Sequence, residues 1–208
     1  MFKANVKQSE TILRHLAHPF ANAGGNVGVK PCMFIRALTQ YCRDLFRGSG
    51  KKEGRMVNTA PQRGIDLAAY MGRWYEQARY DHAFEYGLDR VFTDYAMLPD
   101  GWVRISNSGQ DGSGKSHRAV GMGSCPRGDG RLRVSFVPPY SWFTAPYHIL
   151  YATPGYTGAV VSGEDDRYLW LLTRERRPGR ELMEKLLEEA RGRGFDTARL
   201  RFTAQTAD

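Results

Sequence analysis

The sequence predicts an all-β protein, an eight-stranded antiparallel up-and-down barrel with one α-helix after its last strand. Three observations predict this fold class. From Gly64 onward, short runs of alternating residues are separated by tight polar turns, which is typical of antiparallel strands with one buried face. No helical stretch separates successive runs, which argues against the crossover connections of a parallel sheet. A stretch with helical periodicity follows the last run.

The predicted strands follow one another with short connections. Pro99-Asp100-Gly101 is a strong turn signal, and residues 109–115 form a polar loop. Closure into a barrel is favoured because it removes the exposed edges of an open sheet, and eight strands leave room inside for one small ligand. In the first strand, the alternation places Trp74, Glu76 and Ala78 on one face. The eight predicted strands are 72–79, 90–98, 102–107, 116–123, 132–136, 147–151, 158–162 and 168–174.

A C-terminal helix is predicted at residues 178–190. Apolar residues recur there at three- and four-residue spacing, so one face of this helix must be buried, and we expect it to pack on the barrel wall. Gly192 and Gly194 end it, and residues 200–203 are suited to a final short strand. The apolar stripe consists of Leu182, Met183, Leu186, Leu187 and Ala190.

The first 60 residues differ from the rest in charge. The 208-residue chain has a formal net charge of +8, of which residues 1–60 carry +7 and residues 61–208 carry +1. We therefore divide the chain into a basic N-terminal extension, 1–60, and a barrel domain, 61–208. Nucleic-acid-binding domains usually show a basic footprint over the whole domain, so no nucleic-acid partner is expected.

An amphipathic helix with a basic polar face is predicted at about residues 32–47 of the extension. One interpretation is contact with an anionic membrane surface. The other is packing on protein or an unstructured extension, which is more common for such a helix. A third possibility is that the natural chain starts at Met56.

Several classes of protein and site are excluded by residue content. No apolar run approaches the length of a membrane-spanning helix. The cysteines are Cys32, Cys42 and Cys125, an odd number without a Cys-x-x-Cys pair, which argues against a disulfide-stapled domain and a zinc site. The histidines show no metal-ligand spacing, so neither a metal nor a cofactor is expected.

Two motifs in the barrel region point to a known family. Residues 66–88 (DLAAYMGRWYEQARYDHAFEYGL) contain Gly72-x-Trp74 on the first predicted strand. Residues 159–176 (AVVSGEDDRYLWLLTRER) contain a pair of strands and end near Arg174. In these motifs and their order, the chain resembles the lipocalin family, in particular the branch of bacterial lipocalins and apolipoprotein D.

The resemblance implies a cup-shaped barrel that binds, carries or stores a lipophilic small molecule, with fatty acids or lysophospholipids as the usual class. It further implies that Gly72 and Trp74 belong to the closed base of the barrel, with Arg174 stacked on the Trp74 ring. These three residues are therefore expected to be structural.

The expected location of the protein is open. The resemblance implies the periplasm or the outer membrane, where bacterial members typically carry a lipoprotein signal. Residues 1–30 lack the apolar core of a standard signal peptide, and Gly-Val-Lys-Pro before Cys32 does not form a lipidation site. These features favour a cytoplasmic or peripheral membrane protein instead.

Candidate ligand contacts follow from the alternation once the resemblance fixes the inner face. Glu76 shares that face with Trp74, and an internal partner such as an arginine or a tyrosine is its expected neighbour. Aromatic residues of a proline-bounded loop, Tyr140, Trp142 and Phe143, are candidates for the mouth. The candidate cavity residues are Glu76, Val91, Thr93, Tyr95, Val103, Ile105, Asn107, Val134, Phe136, Tyr147 and Ile149.

The expected function is binding of a lipophilic small molecule by a monomer or homodimer, without catalysis. The alternative is an enzyme that isomerises or cyclises a lipophilic substrate in the same cavity. Its only plausible acid and base are Glu76 with Tyr95 or Tyr147, and no nucleophile-base-orienter set can be assembled. A third class is an interaction protein with a filled barrel.

Overall fold

A computed structural model describes residues 56–82, 85–136 and 144–205. The predicted helix at 32–47 and the candidate mouth residues Tyr140, Trp142 and Phe143 lie outside the described residues. The helices are α1 (Leu67–Tyr70) and α2 (Arg180–Gly192), with a 3₁₀ turn at Thr197–Arg199. The strands are β1 (Gly72–Tyr80), β2 (Leu88–Met97), β3 (Val103–Asp111), β4 (Ser116–Ser124), β5 (Arg131–Ser135), β6 (Ala145–Ala152), β7 (Gly158–Ser162), β8 (Leu169–Thr173) and β9 (Leu200–Phe202).

The strands form a closed antiparallel barrel, which confirms the predicted fold class. From β2 to β8, consecutive strands pair with one another, and β1 closes the barrel by pairing with both β2 and β8. The short strand β9 pairs with the second half of β1. Of the described helices, none combines the length and apolar character that a membrane crossing requires.

A β-bulge in β1 changes which side chains face the interior. The register against β8 shifts between Glu76 and Ala78. Such a bulge reverses the alternation beyond it. Ala78 consequently packs in the outer core with α2, whereas the sequence pattern placed it on the inner face with Trp74 and Glu76. Arg79 takes the position beside Glu76 instead.

Two apolar cores lie on opposite sides of the barrel wall. The inner core fills the barrel from the inward residues of its strands and includes Trp74, Ile105 and Ile149. The outer core lies between α2 and the strands that it covers, where Leu186 and Leu171 are fully buried. The predicted packing of the C-terminal helix on the wall is therefore confirmed.

The up-and-down order gives the barrel two distinct ends. The β1–β2, β3–β4, β5–β6 and β7–β8 connections share one end, which we call the upper end. The lower end is covered by α1, a single helical turn whose first amides are capped by the carboxylate of Asp66. This turn buries Tyr70 completely.

Gly121 lets β5 and the inner core approach β4 closely. A Cβ atom added at Gly121 would lie 2.5 Å from the carbonyl oxygen of Ser135 and 2.7 Å from the Phe136 ring. Neither contact is sterically allowed, and the first is with backbone that a side-chain rotation cannot relieve. The inward position of Phe136 therefore depends on the glycine.

We expect Gly121→Ala to lower the free energy of unfolding by about 1–3 kcal/mol, because the added methyl group overpacks this contact. The matched control is Gly112→Ala in the β3–β4 turn, where an added Cβ meets nothing within 4 Å. Urea denaturation of both variants measures the difference. An equal effect of the two substitutions would contradict the packing described here.

Candidate functional site

The floor of the barrel interior is built around Trp74. Its indole Nε1 donates a hydrogen bond to the carbonyl oxygen of Tyr70, 2.8 Å away, and the two rings stack with centroids 4.8 Å apart. The Arg174 guanidinium lies over the Trp74 ring at 4.0 Å. It also donates to the carbonyl oxygens of Ala69, Met71, Arg73 and Tyr156, so it ties α1 to the barrel. The structure thus places Arg174 where the family resemblance implied.

Three tyrosine hydroxyl groups meet above this floor. The hydroxyl of Tyr147 lies 2.8 Å from that of Tyr70 and 2.7 Å from that of Tyr95. Burial raises the pKa of all three phenols above the usual value; neighbouring tyrosines add to the shift of Tyr70 and Tyr147, and the charges of Glu85 and Glu76 add to that of Tyr95. The three side chains therefore stay neutral and hydrogen-bonded to one another at any ordinary pH.

A buried charge cluster occupies the upper part of the interior. Arg79 is completely buried, and its guanidinium forms an ion pair with the Glu76 carboxylate and donates to the Thr203 hydroxyl. Thr203 also donates to Glu76. The second Nη of Arg79 donates to the carbonyl oxygens of Glu85, in the β1–β2 connection, and of Leu88, at the start of β2. One arginine thus joins β1, the segment after β9 and the connection at the upper end.

The two carboxylates of this cluster have opposite pKa shifts. Burial, and then the charge of Glu85, raise the pKa of Glu76 to about 8 in spite of the Arg79 partner. Burial would also raise the pKa of Glu85, but the hydrogen bond and charge of His82, and then Arg79, lower it to about 2. One guanidinium balances one carboxylate, so the second carries the proton.

Aromatic rings surround the Glu85 side chain. Trp170 Nε1 donates to Glu85 Oε2 over 3.1 Å, and His82 Nε2 lies 3.2 Å from the same oxygen. Tyr168 and Trp170 stack almost in parallel, with centroids 5.8 Å apart, and the His82 ring meets both of them at a steep angle. These contacts hold the start of β8 against the β1–β2 connection.

The candidate cavity residues all face the interior. Glu76 has an arginine as its partner, and Tyr95 and Tyr147 belong to the hydroxyl cluster. Thr93 donates to Asn107 Oδ1 over 2.9 Å. Apolar side chains complete the wall, with Val91 next to Gly109 and the others in or against the inner core: Val103, Ile105, Val134, Phe136 and Ile149.

The inward-facing residues differ in solvent exposure: some are partly exposed, and others are almost completely buried. Asn107, Ala119, Phe136, Tyr147 and Trp170 are half-buried, although each lies on the inner side of its strand. Glu76 and Arg79 are almost inaccessible by contrast. The half-buried residues mark the part of the inward surface that is not sealed by protein.

The sequence pattern missed four residues of the interior: Tyr70, Arg79, Glu85 and Trp170. The Asp66 cap was a visible signal for the turn that carries Tyr70. Arg79 was hidden because a bulge leaves no trace in local alternation. Among the described residues, no group of three or more His, Cys, Asp or Glu side chains is arranged to hold a metal ion.

Closed antiparallel barrels of eight strands with one plugged end include a class of proteins that enclose one small molecule. The family model of the Lipocalin-like domain matches residues 65–205. The chain therefore belongs to the lipocalin family, which is known for binding small hydrophobic ligands. The family resemblance of the two sequence motifs is thereby confirmed.

Individual relatives agree with this assignment. The chain is 36% identical over 155 residues to the outer membrane lipoprotein Blc of Vibrio cholerae, which covers 73% of this chain and 90% of Blc. It is 32% identical over 169 residues to temperature-induced lipocalin-1 of Arabidopsis thaliana, covering 75% and 85% of the two chains. Lobster apocrustacyanin A1 superposes with a TM-score of 0.58 at 17% identity, over 76% of this chain and 94% of that one, and this similarity supports the fold alone.

We expect Arg79→Met to lower the free energy of unfolding by about 3–5 kcal/mol, because it leaves buried carboxylates without their cation. The control is Arg73→Met on the same strand. Arg73 pairs with Asp94, but its side chain is 48% exposed, and such a pair contributes only about 0–1 kcal/mol. Urea denaturation compares the two, and a similar cost for both would contradict the role of Arg79.

We also expect Glu76→Gln to change how stability depends on pH. A raised carboxyl pKa means that the folded protein binds the proton more tightly, so this contribution is complete below the unfolded pKa of Glu76 and is lost as pH rises towards about 8. Glu85, with its lowered pKa, loses its contribution only in stronger acid.

The native protein should therefore lose stability relative to Glu76→Gln between about pH 5 and about pH 8. Urea midpoints at several pH values measure this difference. Glu184→Gln, at an exposed position of α2, serves as the control and should follow the native curve. Parallel curves for the native protein and Glu76→Gln would exclude the buried, protonated Glu76.

Proposed function

We propose that the protein binds and carries or stores a small lipophilic molecule in the upper interior of the barrel. The observation that supports this most directly is the half-buried inward surface of Asn107, Ala119, Phe136 and Trp170. An interior that is completely filled would bury these residues as fully as it buries Ile105. The apolar wall supplies the free energy of binding, at about 25 cal/mol for each Å² of apolar surface removed from water.

A long acyl chain suits this interior best. It is flexible enough to follow an apolar wall between the tyrosine floor and the upper end, and each buried methylene group contributes about 0.8 kcal/mol. Fatty acids and lysophospholipids are the lipid classes that the family resemblance suggests. The name of the Vibrio relative, an outer membrane lipoprotein, favours contact with a membrane as the source of such a ligand.

Catalysis in the same interior has weaker support. Glu76 is already engaged by Arg79 and Thr203, and the tyrosine hydroxyl groups are engaged with one another. A general acid or base must reach its substrate with a free proton or lone pair. Lipocalin relatives are typically binding or transport proteins. We therefore expect mass spectrometry to recover a bound lipid unchanged after incubation.

Ala119→Trp tests the proposed binding site. Ala119 pairs with Asn107 across β3 and β4 and faces the interior, so the indole would occupy the volume that a ligand needs. We expect the affinity for a neutral fluorescent lipophile, N-phenyl-1-naphthylamine, to fall by at least about tenfold.

The matched control is Val120→Trp. Val120 is the next residue of the same strand, but it faces outward and is 43% exposed, so this variant should bind the probe like the native protein. Fluorescence titration measures both, with circular dichroism as the check of folding. The proposed function fails if the native protein shows no saturable binding, or if both variants bind it equally well.

A further inference from the structure

Asn107 offers a hydrogen-bond donor to the barrel interior. It lies on β3 between Thr93 of β2 and Ala119 of β4. The Thr93 hydroxyl donates to Asn107 Oδ1, which fixes the amide so that Nδ2 is the free end. Within the part of the chain that the structure describes, Nδ2 has no hydrogen-bond partner. Because Asn107 is half-buried, a ligand atom can reach this donor.

The arginines that border the interior are already bonded to the protein, although, within the described part of the chain, Arg79 Nε is buried without a hydrogen bond and lies 3.9 Å from Asp81 Oδ1. Arg79 is completely buried and is bonded to Glu76, Thr203 and two backbone carbonyl groups. Arg174 lies below the Trp74 ring and donates hydrogen bonds to four backbone carbonyl groups. Neither side chain can pair with a ligand without breaking protein contacts.

The interior offers one cation for two carboxyl groups, and this cluster is neutral because Glu76 carries a proton. Glu76 and Glu85 share Arg79, and the charge of Glu85 already raises the pKa of Glu76. A ligand carboxylate would add a further negative charge to the same enclosed space. An unpaired anion is far more costly to bury than a neutral polar group, which needs only one hydrogen bond.

The reverse orientation, with the chain inside and the head at the upper end, is no better for an anion. Arg167 is already paired with Asp165, with 2.7 Å between Arg167 Nε and Asp165 Oδ2. On the β9 side of the same end, Arg199 donates to the carbonyl oxygen of Asp166 and Arg201 pairs with Asp89, so a carboxylate head would compete with protein acceptors for these cations. In the described residues of the upper connections, the carboxylates are Asp81, Glu85, Glu164, Asp165 and Asp166, and the lysine and arginine cations are Lys115 and Arg167.

From this arrangement we infer that the interior selects lipophilic ligands with an uncharged polar group over carboxylates of the same chain length. The polar group is an ester, ketone or hydroxyl oxygen, and it accepts a hydrogen bond from Asn107 Nδ2. This inference rests on the proposed function, since it concerns the same interior surface, and it narrows the ligand from acyl lipids in general to those that bring no negative charge.

Competition between matched lipids tests the selection. N-phenyl-1-naphthylamine is bound to the full-length protein and displaced by methyl oleate, oleyl alcohol or oleate. The pH is kept well above the pKa of the oleate carboxyl group, and each lipid is used below the concentration at which it forms micelles. We expect the ester and the alcohol to displace the probe at concentrations at least about tenfold lower than oleate. This order is read from the native protein and needs no variant.

Asn107→Leu tests the donor. The substitution removes one hydrogen bond to a neutral acceptor, so methyl oleate should bind about two- to tenfold more weakly. A hydrocarbon of matched length, 1-octadecene, has no acceptor and should bind as before. The comparison of the two ligands within one variant separates the lost hydrogen bond from any general change of the barrel.

The possible outcomes distinguish this inference from the proposed function. If no probe or lipid binds saturably, the proposed function fails and the inference fails with it. If the probe binds but oleate competes as well as methyl oleate, the protein binds lipids and the selection against carboxylates is wrong. If Asn107→Leu weakens methyl oleate and 1-octadecene equally, the assignment of the donor to Asn107 is overturned.

Discussion

The guanidinium of Arg79 is bonded at once to the Glu76 carboxyl group, the Thr203 hydroxyl, and the carbonyl groups of Glu85 in the β1–β2 connection and Leu88 at the start of β2. The bulge in β1 makes this possible, because it turns Arg79 inward beside Glu76. The other partners come from distant parts of the chain, the segment after β9 and the beginning of β2 with the connection before it, and this guanidinium joins them. The upper end of the barrel therefore depends on one buried cation. The β1–β2 connection is held in place because the bulge in β1 turns that cation inward.

The seam between β1 and β2 likewise depends on a side chain from a distant part of the chain. The two strands pair directly only through Gly72–Tyr75, and β9 takes over beside the rest of β1. Beyond β9, the Gln205 side chain donates to the carbonyl oxygens of Glu76 and Val91, one on each strand. A side chain thus replaces ladder hydrogen bonds that the diverging strands cannot form, which satisfies the buried backbone where the barrel would otherwise open.

Most of the fold was predictable from the sequence, whereas the charged half of the site was not. The strands and α2 leave a local signal, since their apolar periodicity covers five to thirteen residues. The bulge at Gln77 leaves no local signal in the sequence. Because of it, Ala78 faces outward and Arg79 faces inward, the opposite of what the alternation predicts. Glu85 was present in the family motif, but its contact with Trp170 joins residues 85 positions apart, and only the folded chain brings them together.

The two ends of the interior are held by different chemistry, and this determines how each responds to its surroundings. The floor is held by stacked rings and neutral hydroxyl groups whose raised pKa values keep them uncharged. The upper end is held by one buried cation that two carboxyl groups share, one of which carries a proton. A buried ion cluster is seldom the most stable way to fill such a space, and apolar side chains of equal volume often do better. In the ligand selection that we propose, a further anion would find this single cation already shared, while the floor and the wall carry no charge. Under that proposal, the stability of the barrel and its choice of ligand depend on the same few groups at the upper end.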